Sequence, residues 1–367
     1  MYYFFLGNTH DLSLLELKTL YSGEFTFIGK EIASYPHDLD LSTVSRLGGT
    51  RKIAKELAVV SPKELQAKLI ELIIGDDGGK NIALTSFLSE EIEAPSVMKI
   101  KKAVLASRPI RFVSMEMDEH ELLMLSHQHV AEFNLISNGE NIVIAKTVWI
   151  FDAADWVSRD RDKPYRDIKR GMLPPKVARI MANLATRGIP GLTLADPFCG
   201  TGTVLAEGMM IGENVVGSDT NPEAVEGAKS NLAWLAATPG LKATKAEFFL
   251  ADATHFDEHI KSIDAIATEP YMGPLLDDRN PSPLDKVKNI AKGLDKLYRG
   301  AFKSFHAVLP AHGRVVMSIP SFAVYNRVIE TISIDTLAGL GYNYVSSVPY
   351  GKPGAIVIRN ITILEKK

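Results

Sequence analysis

The stretch Asp196-Pro-Phe-Cys-Gly-Thr-Gly-Thr203 constrains this chain more than any other. An apolar run at 192–195 reads as a buried strand, which Asp196 and Pro197 close. Gly200 and Gly202 then permit a tight turn in which backbone can approach a ligand, and 203–211 continues as a helix. A second strand, 214–218, ends in Asp219, close to the spacing of about 20 residues at which an acidic side chain accepts hydrogen bonds from ribose hydroxyls. The two signals together imply a nucleoside-bearing cofactor.

The loop narrows the choice by what it lacks. A dinucleotide fingerprint carries a third glycine and a helix amino terminus open to pyrophosphate. Here Leu205 occupies the third-glycine position, and Asp196 at the strand end brings a negative charge that suits an amine or sulfonium cation and repels a diphosphate. The stretch resembles the D-P-F-x-G-x-G-T motif of S-adenosylmethionine-dependent methyltransferases. That resemblance implies S-adenosylmethionine as cofactor, with Asp196, Phe198, Gly200, Gly202, Thr203 and Asp219 in contact with it. Asp252-Ala253, after a strand at 247–250, falls where methyltransferases of this fold contact adenine.

A chain of 367 residues suits two or three domains, and 46% hydrophobic with 23% charged residues is an ordinary globular composition. The net charge of −3 announces no nucleic-acid binding, so any basic surface must be local. One cysteine, Cys199, excludes disulfides and cysteine-cluster metal sites; among nine histidines only His127 and His129 lie close together, and no metal site is expected. No apolar run approaches the roughly 18 residues of a membrane span, and 1–6 lacks the features of a secretory leader, so a cytoplasmic location is expected.

The amino-terminal region reads as strand 2–6, helix 11–21, strands 25–28 and 31–35, helical 42–47 and strand 52–60, an α+β, ferredoxin-like order for residues 1–60. Residues 61–150 read as a helix opened by the capping pair Ser61 and Glu64 and running to 74, then strand 81–87 and helix 95–106. Strand 108–113, helix 119–133 and a hairpin of 134–137 with 142–150 across Asn138-Gly139 follow. Lys99, Lys101, Lys102, Arg108 and Arg111 gather in this block. Its element order resembles the THUMP domain of tRNA-modifying enzymes, which implies that these five cations contact RNA.

Residues 151–171 form a basic join. Arg159, Arg161, Lys163, Arg166, Lys169 and Arg170 outnumber Asp160, Asp162 and Asp167, with Trp156 and Tyr165 interleaved. Such a segment either contacts phosphate or pairs with itself, and exposed pairs are worth only about 0–1 kcal/mol. Arg159-Asp160, Arg166-Asp167 and Gly171-Met-Leu-Pro-Pro-Lys-Val-Ala178 resemble the linker and first helix of archaeal and eukaryotic tRNA guanosine-10 methyltransferases. The resemblance implies that Arg159, Arg161 and Arg166 contact tRNA and that the helix from Pro174 covers the cofactor edge of a sheet formed by 172–367.

That last domain is expected to be a doubly wound, Rossmann-like α/β sheet. Strand 263–267, helix 301–309, strand 313–318 and an antiparallel closing pair, 342–347 with 355–364, complete it. Ligands of open parallel sheets collect at the carboxyl ends of the strands, which selects Thr268-Glu-Pro-Tyr271. Amino-methyltransferases carry D-P-P-Y or N-P-P-Y there, so the resemblance assigns Thr268, Glu269, Pro270 and Tyr271 to catalysis. Thr268 replaces the acid and Glu269 the first proline, which either moves the carboxylate by one position or marks a changed activity. Three functions remain compatible with these residues: a tRNA guanosine amine methyltransferase, a DNA amino-methyltransferase, and an RNA-binding homologue with weakened catalysis.

Overall fold

The computed structural model describes residues 1–113, 130–167, 173–279 and 282–367. They form two compact units: one of Met1–Leu14, Tyr21–Ser45 and Gly49–Val157, the other of Leu15–Leu20, Arg46–Gly48 and Ser158–Lys367.

In the first unit the strands are β1 (Tyr2–Leu6), β2 (Thr26–Ile28), β3 (Ile32–Tyr35), β4 (Thr50–Val60), β5 (Asn81–Phe87), β6 (Arg111–Phe112), β7 (Ala131–Asn138) and β8 (Asn141–Ile150). They make one sheet in the order β2-β3-β1-β4-β8-β7-β5-β6. The division expected at residue 60 therefore falls within a continuous sheet, because β4 pairs with β8 from Lys52↔Ile150 to Val60↔Ile142. Helix α1 spans His10–Leu20, α2 Leu65–Ile74 and α3 Val97–Leu105.

Leu65, Leu69 and Ile73 recur at four-residue spacing on α2, and Ile100 and Val104 do the same on α3. Both stripes are buried against Ile82, Phe133, Leu135, Ile142 and Ile144 of the sheet. Ser96 caps α3 by accepting from the Lys99 N–H at 3.4 Å. Ser61 donates from Oγ to Glu64 at 2.6 Å, but α2 begins only at Leu65 with Glu64 at its N-cap and no side-chain cap bond, so the helix starts later than the capping pair implied. The segment expected to be helical at 42–47 is a single 3₁₀ turn, Val44–Arg46. Residues 131–133, expected at the end of a helix, belong instead to β7, where Phe133 enters the core; 119–129 of that helix, with His127 and His129, lie outside the described residues.

Helix α4 (Ala153–Arg161) begins in the first unit and ends in the second. The second unit continues with α5 (Pro175–Thr186), β9 (Thr193–Asp196), α6 (Thr203–Met210), β10 (Asn214–Asp219), α7 (Pro222–Ala236), β11 (Ala246–Leu250), β12 (Ala265–Thr268) and α8 (Leu284–Val308). It closes with β13 (Arg314–Val324), β14 (Arg327–Glu330), α9 (Ile334–Gly339), β15 (Tyr342–Tyr350) and β16 (Val357–Lys366). The sheet order is β11-β10-β9-β12-β13-β16-β15, with β14 paired to β13. Strands β9 to β13 are parallel, and β16 runs antiparallel to both β13 and β15, the expected closing pair.

Helix α8 is far longer than the 301–309 stretch that stood out in the sequence. Val287, Ala291, Leu294, Tyr298, Ala301, Phe302 and Phe305 keep a helical stripe that packs on Ile266, Val315 and Met317, while lysines fill the opposite face. Leu205, Met209, Ala228 and Leu232 form a separate cluster with Val215, joining α6 and α7 to the sheet. No helix among the described residues is long and apolar enough to cross a membrane.

Candidate functional site

The glycine loop is built by backbone. Cys199 N–H donates to the Ser218 carbonyl at 2.8 Å and Gly202 N–H to the Cys199 carbonyl at 2.7 Å, which folds the loop over the end of β10. Gly200 and Gly202 take φ of 50° and 79°, a region that L side chains rarely adopt. A Cβ on Gly202 would stand 3.1 Å from both Ala228 and Leu232, so this glycine lets α6 and α7 pack. A Cβ on Gly200 would meet only the Phe198 carbonyl, 4.0 Å away, so this backbone stays open to a ligand.

Asp219 receives the Gly200 N–H at 3.0 Å on Oδ2 and the Asn221 N–H at 2.9 Å on Oδ1. An ionised carboxylate offers about four lone-pair sites, so two remain for a ligand's hydroxyls. The loop and Asp219 thus fit a ribose-bearing cofactor. Cys199 is no nucleophile: burial pushes its thiol pKa up, and Asp196 and Asp219 push the same way.

Asp196 is buried and not open at the mouth of the loop. Its Oδ1 accepts from Phe198 N–H at 3.1 Å and from the Thr268 hydroxyl at 2.6 Å. Burial, helped by the charges of Asp219 and Glu269, raises its pKa to about 7 against the pull of those two donors. The Thr268 bond ties the glycine loop to the second functional loop. Thr268 itself is fully buried, so its role is to hold Asp196 rather than to face a substrate.

The rest of that loop is reachable. Glu269 Oε1 accepts from Arg359 Nε at 2.9 Å. Pro270 is buried, Tyr271 is 58% exposed, and the Tyr271 carbonyl accepts the hydroxyl of buried Tyr298 at 2.8 Å. Asp252 caps the following turn by accepting both Thr254 N–H and Thr254 Oγ1 at 2.8 Å, and Ala253 is buried beside Phe256. Phe198 packs against the same core.

The cations divide sharply. Lys99, Lys101, Lys102 and Arg111 are exposed in the first unit, while Arg108 turns its guanidinium to the carbonyls of Asp76 and Gly79 and braces a loop. Arg161 and Arg166 are exposed in the second unit. Arg159 corrects its assignment as a phosphate contact: it is buried, its Nε donates to Glu207 Oε1 at 2.7 Å, and Arg179 Nε meets Glu207 Oε2 at 2.7 Å. Lys169 and Arg170 lie outside the described residues.

The structure gives the basic join, expected to contact tRNA, a second task. Lys163 Nζ donates to Thr203 Oγ1 at 3.2 Å, at the first residue of α6. Asn231 receives Tyr165 N–H at 2.8 Å and donates to the carbonyls of Tyr165 and Thr201 at 2.9 and 2.8 Å. The Tyr165 ring lies so close over α7 that a Cβ on Gly227 would fall 2.1 Å from it. Residues 158–167 are thus a strap bonded to the glycine loop. Lone residues such as Asn231, Tyr298 and Arg359 carry no sequence signal; only this packing reveals them.

Comparison with known proteins agrees with the geometry. Residues 163–336 match the family model described as RMKL-like, methyltransferase domain. The match lies within the second unit and covers somewhat less than half of the chain. The chain is 36% identical over 179 residues to a tRNA (guanine(10)-N2)-dimethyltransferase of Pyrococcus abyssi, covering 48% of this chain and 46% of that protein. It is 32% identical over 163 residues to the protein of that name from Methanothermobacter thermautotrophicus, covering 44% and 42%. The match thus spans less than half the length of either relative. Among solved structures, magnesium protoporphyrin IX methyltransferase from Synechocystis with bound SAH is a distant likeness: 14% identity, 58% of this chain, 97% of that one and a TM-score of 0.38.

Proposed function

We propose that this chain is an S-adenosylmethionine-dependent methyltransferase that modifies the exocyclic amine of a guanosine in tRNA. The observation that carries the reading is the Thr268–Asp196 hydrogen bond of 2.6 Å, which joins the glycine loop to the Thr268–Tyr271 loop at neighbouring strand ends. The names of the Pyrococcus and Methanothermobacter relatives supply the substrate class.

Bound S-adenosylmethionine supplies an electrophilic methyl group on a sulfonium centre. Gly200 backbone and Asp219 hold the nucleoside end, and Asp252 with the Ala253 backbone flanks the base. Tyr271 offers its exposed ring for the target base to stack upon. Glu269 accepts a hydrogen bond from the target amine, which directs the nitrogen lone pair at the methyl group and gives the departing proton an acceptor. Such orientation is a proximity effect worth up to about 7–11 kcal/mol of barrier.

The exposed Lys99, Lys101, Lys102, Arg111, Arg161 and Arg166 supply the phosphate contacts, with 61–150 acting as a THUMP-like module. A cytoplasmic location follows from a tRNA substrate. The test is to incubate the full chain with a tRNA transcript or duplex DNA and methyl-labelled cofactor, then analyse nucleosides by mass spectrometry. Labelled N2-methylated guanosine supports the reading, label in DNA favours the second function, and tRNA binding without label favours the third.

A further inference from the structure

Strand β13 does not stop where β12 does. Thr268, the last residue of β12, lies opposite Met317, yet β13 continues to Val324 and stays paired with β16 through Phe322↔Val357. Beyond the parallel edge the antiparallel strands therefore rise as a wall beside the Thr268–Tyr271 loop. Arg359 stands on that wall, opposite Pro320 on one side and Tyr350 on the other.

Its backbone is firmly held. The neighbouring Asn360 donates to the Ile319 carbonyl at 3.0 Å and to Ser321 Oγ at 3.1 Å, and Asp278 accepts the Ile356 N–H at 2.9 Å just before β16. From this support the Arg359 guanidinium takes only one oxygen of Glu269, Oε1, and Oε2 has no hydrogen-bond partner among the described residues. A carboxylate gripped on one oxygen by a planar cation keeps its charge and its plane while the other oxygen stays available.

We propose that Arg359 is the positioning residue of the transfer site, fixing Glu269 so that Oε2 is presented to the incoming amine. The proposal rests on the reading of Glu269 given above. It also explains how the loop works without a carboxylate at 268. The acid moves to 269, where an unsupported glutamate would sample several rotamers, and the arginine removes that freedom.

The experiment is a steady-state comparison of wild type, Arg359→Met, Arg359→Lys, Glu269→Gln and Arg359→Met with Glu269→Gln, using full-length chain, tRNA transcript and labelled cofactor. Misplacing a reacting group can cost on the order of a hundredfold, so Arg359→Met should lose about that in kcat. The KM for tRNA and the calorimetric Kd for cofactor should stay within about twofold, as expected for an interaction realised in the transition state. Arg359→Lys should recover part of the rate, and in the Glu269→Gln background the Arg359→Met loss should nearly vanish. Unchanged kcat in Arg359→Met, or the same loss in both backgrounds, overturns the positioning role while leaving the methyltransferase reading intact. A wild-type chain that transfers no methyl group overturns both.

Discussion

Two cation-rich stretches look alike in the sequence, yet one keeps its lysines outside and the other buries two of its cations. Lys99, Lys101, Lys102 and Arg111 remain in water, whereas Arg159 and Lys163, set among equally charged neighbours, are buried. Charge density does not separate them. A carboxylate waiting at the packing site does: Glu207 on α6 is 1% exposed and takes Arg159 on one oxygen and Arg179 on the other. Around α3 the apolar positions Ile100 and Val104 already fill the core, which leaves its lysines outside. A basic stretch is thus left in water only where nothing inside the fold claims its charges.

The largest expected effect tests that claim directly. Glu207→Gln removes the carboxylate that two buried guanidiniums share, and breaking a buried ion pair in this way costs about 3–5 kcal/mol. Urea unfolding of the full chain reads the loss. A change below about 1 kcal/mol would mean that the pairing does not decide where Arg159 goes.

Asp196 gives the opposite case, a buried carboxylate held by two uncharged donors, the Phe198 N–H and the Thr268 hydroxyl. Its pKa is near 7 in the folded state against 3.8 in the unfolded one. Between those values the folded chain holds a proton that the unfolded chain has released, so stability falls as pH rises from about 4 to 7. The full span is on the order of 4 kcal/mol. Asp196→Asn should flatten that fall and be the more stable protein at pH 8. Parallel pH-stability curves for the two proteins would remove Asp196 as the cause.

The exposed set responds in another currency. Lys99→Gln, Lys101→Gln and Lys102→Gln together should leave stability within about 0.5 kcal/mol. They should also lower the slope of log affinity for tRNA against log salt by up to about 3. Arg159→Gln should not reduce that slope. Filter binding across a salt series checks both, and equal slopes for the triple variant and wild type would take α3 out of the RNA surface.

What the sequence made legible follows the same division. The glycine loop, Asp219 and the strand ends at Asp196 and Thr268 were readable because local chain rules fix them: a positive φ demands glycine, and a parallel sheet puts its polar residues at one edge. The span of α8 was less visible because its stripe alternates with lysines and small residues, and only the start of β7, residues 131–133, was hidden where a helix was expected. Arg359 and Asn231 were not readable at all. Each acts on a partner far along the chain, Glu269 and Thr201, and only tertiary pairing brings them together.

Lys163 offers the smallest effect and the finest test of the comparison. Burial lowers its pKa, opposed by Asp160 and Glu207, and its ammonium donates to Thr203, whose hydroxyl also lies 3.3 Å from that of Thr201. Lys163→Met therefore removes a desolvated charge without stranding its partner, and buried charges replaced by apolar groups of similar volume are often neutral or stabilising. The variant should lie within about 1 kcal/mol of wild type at pH 7, on the stable side. Its pH dependence carries the sign. Folded wild type releases the Lys163 proton at a lower pH than the unfolded chain does, so its stability gains as pH climbs toward 10.5, and the methionine variant should lack that gain. A loss as large as that of Glu207→Gln would show that Lys163 belongs with the paired arginines, and the line drawn between a claimed and an unclaimed cation would then fail inside the strap itself.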